Sequence, residues 1–233
     1  MIGIIGAMNS EVRLLVEKLQ EKTTVRVGKT DYHVGKLSGH DAVVAQCGIG
    51  KVAAAASAQI MLSRFGATAL LNTGVAGGVG NHLQVGDFVI GTDAVQHDFD
   101  VRALGYAKGH LCTGEDSSRP TILKADDALV QRAQRAAEQV LPKARVHRGR
   151  IASGDVFVAD AELKREIATL FDATAVEMEG AAIAQVAALN DVPFVILRAL
   201  SDLAGEAADV SYEEFEQQAA QVSGRIVLLM MDD

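Results

Sequence analysis

The feature that most constrains the fold is an alternation of short apolar runs with helical patterns along nearly the whole chain. The apolar runs have the length of buried strands and lie at residues 2–5, 42–45, 69–72, 88–90 and 194–197. The helical patterns, in which apolar residues recur every three or four positions, lie at residues 12–19, 52–65 and 129–140 and near the C-terminus. This alternation predicts a parallel or mixed sheet with helices on both faces.

The chain shows no internal repeat, no low-complexity tract and no composition typical of a linker. Its 233 residues are enough to bury a sizeable core. We therefore expect a single domain over residues 1–233. The least regular stretch, residues 97–120, is predicted to be a long loop, and such loops in compact domains are often functional.

Composition excludes several classes of protein. The chain has 30 acidic and 22 basic residues, a net charge of −8, which argues against binding to nucleic acid or to anionic membranes. Its two cysteines, Cys47 and Cys112, are far apart, which excludes a disulfide framework and suits a reducing compartment. No apolar run has the length of a membrane span, and the first one lacks the basic flank of a signal peptide. We expect a cytoplasmic protein.

Two glycine-rich segments do not complete a nucleotide motif. Segment 48–51 lacks the first glycine and the hydroxyl residue of a P-loop, because Ala45 and Val52 stand at those positions. Segment 74–80 lacks the third glycine of a dinucleotide fingerprint, where Leu83 stands. Both segments are interpreted as tight turns at strand ends, and their glycines would also let a small polar ligand lie against the backbone.

Charged or polar side chains follow three apolar segments, namely the first and the last of the runs above and the short segment 173–176, where a buried strand would end. They are Glu11 after the first run, Glu177 and Glu179 after residues 173–176, and Arg198, Ser201 and Asp202 at the end of the run that starts at Phe194. Because ligands of open α/β sheets bind at the carboxyl ends of strands, these groups predict a shared site.

A structural role remains open for each of these charged residues taken singly. The glutamates would also stabilise the first turns of the following helices, and Arg198 with Asp202 would form an ion pair. A metal site at His97, Asp98 and Asp100 is not predicted, because no further His or Cys stands at helpful spacing.

Five segments, taken together and in order, resemble one known family. They are residues 3–8 with Glu11, residues 48–54, residues 153–155, residues 176–182 and residues 198–202. The chain resembles the 5′-methylthioadenosine/S-adenosylhomocysteine nucleosidases, within the purine nucleoside phosphorylase-like family, over essentially its whole length.

The resemblance implies a fold and a reaction. The fold is α/β, a three-layer α/β/α sandwich with a mixed, partly barrel-like central sheet, and the enzyme is a homodimer without cofactor or metal. The reaction is hydrolysis of the N-glycosidic bond of 5′-methylthioadenosine, S-adenosylhomocysteine and 5′-deoxyadenosine, which releases adenine in methionine salvage. A purine nucleoside phosphorylase, an aminodeoxyfutalosine hydrolase and a non-catalytic adenosine-binding module remain alternatives.

The resemblance also implies three catalytic residues. Asp202 would protonate adenine N7, with Ser201 orienting it. Glu11 would activate the attacking water, assisted by Arg198, and Glu179 would bind the ribose hydroxyls. Cleavage through an oxocarbenium-like sugar needs two carboxyls, and an acid at Asp202 must have a raised pKa to keep its proton.

Further substrate-binding residues are implied along the chain. They are Met178, Glu177, Phe157, Val158, Ile49, Val75, Val101, Leu104, Tyr106 and Tyr212. Phe157 would stack on adenine and the Val158 backbone would read its edge, while Met178 would pack against the sugar. The 5′ pocket would be lined by Ile49, Val101, Leu104, Tyr106 and Tyr212, with Val101 and the loop after it coming from the partner chain. Val75, Leu104 and Cys112 depart from residues common in the family.

Overall fold

The central layer is a mixed sheet of ten strands. The computed structural model describes residues 1–80, 82–113, 116–205 and 208–232. Within them the strands are β1 (Ile2–Gly6), β2 (Gln20–Val27), β3 (Thr30–Leu37), β4 (His40–Gln46), β5 (Ala69–Gly78), β6 (Phe88–Gln96), β7 (Leu123–Lys124), β8 (Val146–Ser153), β9 (Ala173–Glu177) and β10 (Phe194–Asp202).

Six helices connect these strands in the described part of the chain. They are α1 (Asn9–Lys18), α2 (Lys51–Phe65), α3 (Asp127–Val140), α4 (Ala161–Phe171), α5 (Gly180–Leu189) and α6 (Ala208–Asp232). The predicted strands at 2–5, 42–45 and 194–197 and the helix at 52–65 are confirmed to within a few residues.

Part of the sheet closes on itself. Strand β10 pairs with β5 on one side and with β6 on the other, and the circuit continues through β8 and β9 back to β5. From β5 the sheet extends through β1, β4, β3 and β2. Strands β1, β4, β5 and β10 run parallel, so their carboxyl ends lie at one edge of the sheet.

Helices cover both faces, which confirms the three-layer α/β/α prediction. On β1, Ile4 packs in a core with α1, α3 and α6, whereas the next residue, Ile5, packs in a second core with α2 and α5. On β10, Val195 and Ile196 divide between the same two cores. Successive strand residues face opposite sides, so an uninterrupted apolar run is what a doubly covered strand requires.

The glycines of segment 74–80 were interpreted wrongly as a turn. Gly74, Gly77 and Gly78 lie inside β5, which continues past the predicted end at residue 72. A Cβ on Gly74 would lie 2.4 Å from the guanidinium of Arg198, and one on Gly77 would lie 2.6 Å from the carboxylate of Asp202. These glycines therefore let charged side chains lie against the strand.

The long loop after β6 is confirmed for its described residues. Between β6 and β7 the only regular element described is one 3-10 turn, Arg102–Leu104. By contrast, segment 48–50 is a turn as predicted, since Gly48 and Gly50 have φ of 91° and 97°. No helix in the described ranges is long and apolar enough to cross a membrane.

Candidate active site

A cavity of about 370 Å³ lies at the carboxyl ends of β1, β5 and β10. The residues that line it come from almost the whole length of the chain: Ala7, Met8, Glu11, Ile49, Val75, Ala76, Gly77, Phe157, Val176, Glu177, Met178, Glu179, Ser201, Asp202 and Tyr212. The three groups of charged residues predicted at strand ends therefore meet at one place.

Glu11 is a buried carboxylate in the first turn of α1. Its Oε2 accepts hydrogen bonds from the N–H groups of Ala7 at 2.7 Å and Met8 at 2.9 Å, and its Oε1 accepts one from Val75 at 3.0 Å. Burial raises its pKa, against the lowering effect of Arg198 and of the three N–H groups. Glu11 thus caps its helix and also presents a carboxyl to the cavity.

Arg198 lies behind the cavity, fully buried in β10. Its Nη2 donates to Asn72 Oδ1 at 2.5 Å and to Glu177 Oε2, and lies 3.7 Å from Glu179 Oε2. Because Gly74 has no side chain, Arg198 Nη1 and the Glu11 carboxylate can both lie against its backbone. An Arg198–Asp202 ion pair, the structural alternative left open by the sequence, is not formed, because Arg198 is engaged by the glutamates.

Glu177 is held within the protein on both oxygens. It accepts from Ser153 Oγ, from Arg198, and from the N–H groups of Glu179 at 3.0 Å and Gly180 at 2.8 Å. These last two bonds cap the N-terminus of α5. Glu177 therefore orients Arg198 and the turn that carries Glu179.

Glu179 is buried at the N-cap of α5 and faces the cavity. Its Oε1 accepts a hydrogen bond from Gly50 N–H at 2.9 Å. Burial and the neighbouring Glu177 charge raise its pKa to about 7, although Arg198 acts in the opposite direction. Near neutral pH this carboxyl is poised between its two protonation states.

Asp202 ends β10 at the opposite side of the barrel ring from β8. Its Oδ1 accepts from Ala204 N–H at 2.8 Å, and its Oδ2 lies 3.0 Å from Ser201 Oγ. Burial raises its pKa, while these hydrogen bonds lower it to a smaller extent. Both oxygens therefore accept a hydrogen bond, and each keeps a second lone pair for a proton or a substrate atom.

Apolar side chains form the remainder of the wall. The rings of Phe157 and Tyr212 meet edge to face with centroids 5.6 Å apart, and Tyr212 Oη lies 2.9 Å from Met8 Sδ. Burial, with the nearby Glu216 charge, raises the pKa of Tyr212 to about 12, so its phenol stays neutral. Phe157 is 44% exposed and Ile49 is 61% exposed, so the cavity opens to solvent beside them.

Five predicted residues do not line the cavity of this chain. Arg198 acts from behind it, and the side chain of Val158 packs into a third core beside β8 and β9. Val101, Leu104 and Tyr106 lie in the loop after β6, and Leu104 is 73% exposed.

Several residues that shape the site were not predicted. Asn72 and Ser153 hold Arg198 and Glu177 from inside strands, where a single polar residue gives no signal in the sequence. At the start of α2, Lys51 Nζ lies 2.6 Å from Asp98, and Asp155 accepts from Lys51 N–H at 2.8 Å. Only the unusual sequence His-Asp-Phe-Asp at 97–100 could have drawn attention to Asp98.

No cluster of three or more His, Cys, Asp or Glu side chains that could hold a metal ion occurs in the described ranges. Asp98, considered above as a ligand, is instead paired with Lys51.

Comparison with known proteins gives the family. Residues 1–231 match the sequence profile of the Phosphorylase superfamily. The 5′-methylthioadenosine/S-adenosylhomocysteine nucleosidase of Anoxybacillus flavithermus is 44% identical over 233 residues, which cover all of this chain and 98% of that protein. This chain belongs to the methylthioadenosine/S-adenosylhomocysteine nucleosidases of that superfamily.

Solved structures of the family superpose closely. The nucleosidase of Neisseria meningitidis in complex with methylthio-immucillin-A has a TM-score of 0.93 and 42% identity, and covers 99% of this chain and 98% of that one. A futalosine hydrolase mutant of Helicobacter pylori has a TM-score of 0.91 and 33% identity over 99% of this chain and 98% of that one. The barrel-like nucleoside phosphorylase fold is thereby confirmed.

Proposed function

We propose that this chain hydrolyses the N-glycosidic bond of 5′-methylthioadenosine and S-adenosylhomocysteine, releasing adenine and the 5-thio-substituted ribose. The observation that carries the proposal is the pair of buried carboxyls with raised pKa, Glu11 and Asp202, in one cavity with an apolar wall. Cleavage of a glycoside through a cationic sugar uses two carboxyls in this way, one for the leaving group and one for water.

Asp202 is the general acid. Its raised pKa keeps the carboxyl protonated closer to neutrality, and the carboxyl donates that proton to adenine N7 as the glycosidic bond breaks. Ser201 and the Ala204 N–H fix the orientation of the carboxyl. Phe157 stacks on the adenine ring, and the Val158 backbone contacts its edge.

Glu11 is the general base. Three N–H donors and the Arg198 charge hold the carboxylate in one position, where it takes a proton from the water that attacks the anomeric carbon. Glu179 accepts hydrogen bonds from the ribose hydroxyls, which favours its ionised form, and that charge stabilises the cationic sugar. Met178 packs against the sugar, and Glu177 keeps Arg198 in place.

Water, and not phosphate, is the acceptor. Among the described residues that line the cavity there is no lysine or arginine, and Arg198 behind it is already surrounded by Glu11, Glu177 and Glu179. Phosphate would therefore enter a site with negative potential and no free cation. This argues against the purine nucleoside phosphorylase alternative.

The names of the relatives support the choice of substrates. Methylthio-immucillin-A bound to the Neisseria enzyme carries a methylthio group, as its name says. The apolar Met8, Ile49, Val75 and Tyr212 suit such a group, and 5′-deoxyadenosine would fit the same space. The futalosine hydrolase likeness keeps aminodeoxyfutalosine as a second candidate at lower identity.

The enzyme acts as a homodimer, in which Val101, Leu104 and Tyr106 of one chain complete the 5′ pocket of the other. None of the three lines this chain's own cavity, and Leu104 is exposed, which supports that arrangement. We assign the chain one catalytic domain, and a cytoplasmic role in methionine salvage that suits its two free cysteines.

The test is to incubate the pure protein with each of the four nucleosides and to measure free adenine, or the corresponding base, by chromatography. We expect adenine from methylthioadenosine and S-adenosylhomocysteine. Release of base from aminodeoxyfutalosine alone would favour the second candidate, and no release from any of them would reject the proposal.

A further inference from the structure

A second, polar cavity of about 320 Å³ adjoins the candidate active site. It lies between the start of α1 and the first half of α6, and Met8 and Tyr212 line both cavities. Beyond these two residues its lining is polar and includes Ser10, Arg13 and Glu216. Met8 and Tyr212, whose side chains contact each other, therefore stand between the apolar 5′ end of the active site and a groove that carries both signs of charge.

The two charged residues of the groove are available to a ligand. Arg13 is exposed on α1, and within the described residues its guanidinium has no hydrogen-bond or ion-pair partner. Glu216 is partly buried on α6, and its Oε1 accepts from Ser10 Oγ, which orients the carboxylate and leaves Oε2 free of any such bond among the described residues. A cation and an anion thus lie in one cavity without neutralising each other.

We propose that this groove binds the zwitterionic amino-acid end of S-adenosylhomocysteine, with Arg13 on its carboxylate and Glu216 on its ammonium group. The inference rests on the proposed function, because the adenosine part must occupy the main cavity for the tail to enter the groove. Arginine pairs with carboxylates in a planar fork, and a carboxylate such as Glu216 accepts from an ammonium group.

The length of the tail matches the groove. Three bonds join the sulfur of S-adenosylhomocysteine to the α-carbon of its amino acid, a span on the order of 4 Å. Tyr212 and Glu216 are four residues apart on one face of α6, which corresponds to about one helical turn of roughly 5.4 Å. A sulfur beside Met8 and Tyr212 would therefore place the charged groups near Glu216. Methylthioadenosine ends at its methyl group and would reach neither charge.

The test compares two substrates in three variants. Arg13→Gln and Glu216→Gln are assayed on S-adenosylhomocysteine and methylthioadenosine, with Arg225→Gln, an exposed arginine farther along α6, as the matched control. We expect kcat/KM for S-adenosylhomocysteine to fall about three- to tenfold in the first two variants, the size expected for partly exposed charged contacts. The loss should lie in KM, since the tail is remote from the reacting bond. The change for methylthioadenosine should stay below about twofold.

Two analogues, each with only one of the two charged groups of the tail, test which protein residue binds which group. An adenosine with a 5′-(3-carboxypropyl)thio group carries only the carboxylate, and one with a 5′-(3-aminopropyl)thio group carries only the ammonium. Arg13→Gln should weaken the first and Glu216→Gln should weaken the second. The reverse pattern would overturn the proposed orientation.

Other outcomes distinguish a failure of this inference from a failure of the proposed hydrolase function. If the wild-type protein cleaves methylthioadenosine and both variants treat S-adenosylhomocysteine as the wild type does, the tail stays in solvent and only the groove assignment fails. Equal losses on both substrates would mean that Arg13 and Glu216 support the local structure around Met8 and Tyr212, which also rejects the assignment. If no adenosine derivative is cleaved, the proposed function itself fails.

Discussion

At the scale of single residues, Asp202 combines a raised pKa with a position in the wall of the cavity. Asp202→Asn should lower kcat for methylthioadenosine at least about 10²-fold, because an amide still hydrogen-bonds adenine N7 but delivers no ionisable proton. The measurement is kcat and KM by adenine release, together with the melting temperature.

The melting temperature separates catalysis from folding in this variant. If Asp202 served only the turn before α6, the amide would lower the melting temperature and leave the rate per folded molecule near that of the wild type. A well-folded Asp202→Asn protein with a near-normal kcat would contradict the role of general acid.

Substitution of Glu179 should change the stability of the protein as well as its catalytic rate. Its pKa is raised from 4.5 to about 7, so the folded state binds its proton more tightly than the unfolded state does. The stability that this proton contributes is fully present below about pH 4.5 and is lost as the pH rises through 7. Glu179→Gln removes that loss, because glutamine does not ionise.

We therefore expect Glu179→Gln to be inactive yet more heat-stable than the wild type at pH 8, by about 2 to 4 °C, which is roughly 1 kcal/mol for a chain of this size. The difference should shrink towards pH 5. Melting curves across that range measure it. A variant that melts below the wild type at pH 8 would show that the Glu179 charge stabilises the fold.

The charged residues that line the cavity were predictable where a charge interrupts an apolar run. Glu11, Glu179 and Asp202 each follow or end such a run. Burying a carboxyl there costs free energy, so its presence indicates a specific role. Asn72 and Ser153 were not predictable, because their roles depend on contacts with Arg198 and Glu177 that only the folded chain creates.

At the scale of secondary-structure elements, the start of α2 is fixed by a network of charges. Asp98 pairs with Lys51 through Oδ1 and accepts from Asp155 N–H at 2.8 Å through Oδ2, and Asp155 in turn accepts from Lys51 N–H. The network holds the turn that directs the Gly50 N–H at Glu179. We therefore expect the network to affect catalysis through the position and pKa of Glu179, without a contact to substrate.

Asp98→Asn should weaken this network and loosen the Gly50–Glu179 hydrogen bond. Because that bond lowers the pKa of Glu179, its loss should move the acid limb of the kcat/KM profile, expected near pH 7, to higher pH. We also expect kcat/KM at pH 7 to fall about three- to tenfold, the size of one charge-assisted hydrogen bond.

The matched control is Asp41→Asn, which breaks the exposed Lys36–Asp41 pair on β3 and β4. That variant should leave both the rate and the pH profile unchanged. A pH profile that is identical in Asp98→Asn and the wild type would show that the network is merely structural.

Elements were predictable in proportion to their burial. Strand β10 is buried along all nine residues, and its apolar core from Phe194 to Leu197 was visible in the sequence. Strand β2 is mostly exposed, with the sequence QEKTTVRV, and its pairing with β3 was missed because neither apolar alternation nor a continuous apolar run marks it. Strand β5 was cut short because its glycines resemble a turn unless the side chains that lie against them are known.

At the scale of the whole molecule, the proposed dimer explains why three predicted site residues lie away from the cavity. Leu104→Glu places a charge where an apolar residue, 73% exposed in one chain, would be covered by the partner. We expect this variant to be monomeric at micromolar concentration in light scattering, and to lose activity on methylthioadenosine because the 5′ pocket is left open.

Leu104→Met, which keeps an apolar side chain of similar size, serves as the control and should remain dimeric and active. A wild-type protein that is monomeric and fully active would contradict the dimer. So would a Leu104→Glu protein that stays dimeric with unchanged kcat/KM.

The most direct test of the whole account is the identity of the acceptor in the reaction. Methylthioadenosine is turned over with and without saturating inorganic phosphate; the free sugar is followed by proton NMR, and any sugar phosphate by phosphorus NMR. A site ringed by Glu11, Glu177 and Glu179 predicts equal rates in both buffers, with free 5-methylthioribose as product and all phosphorus remaining inorganic. A rate that requires phosphate, or the appearance of a sugar 1-phosphate, would contradict the assignment of Glu11 as the base that activates water.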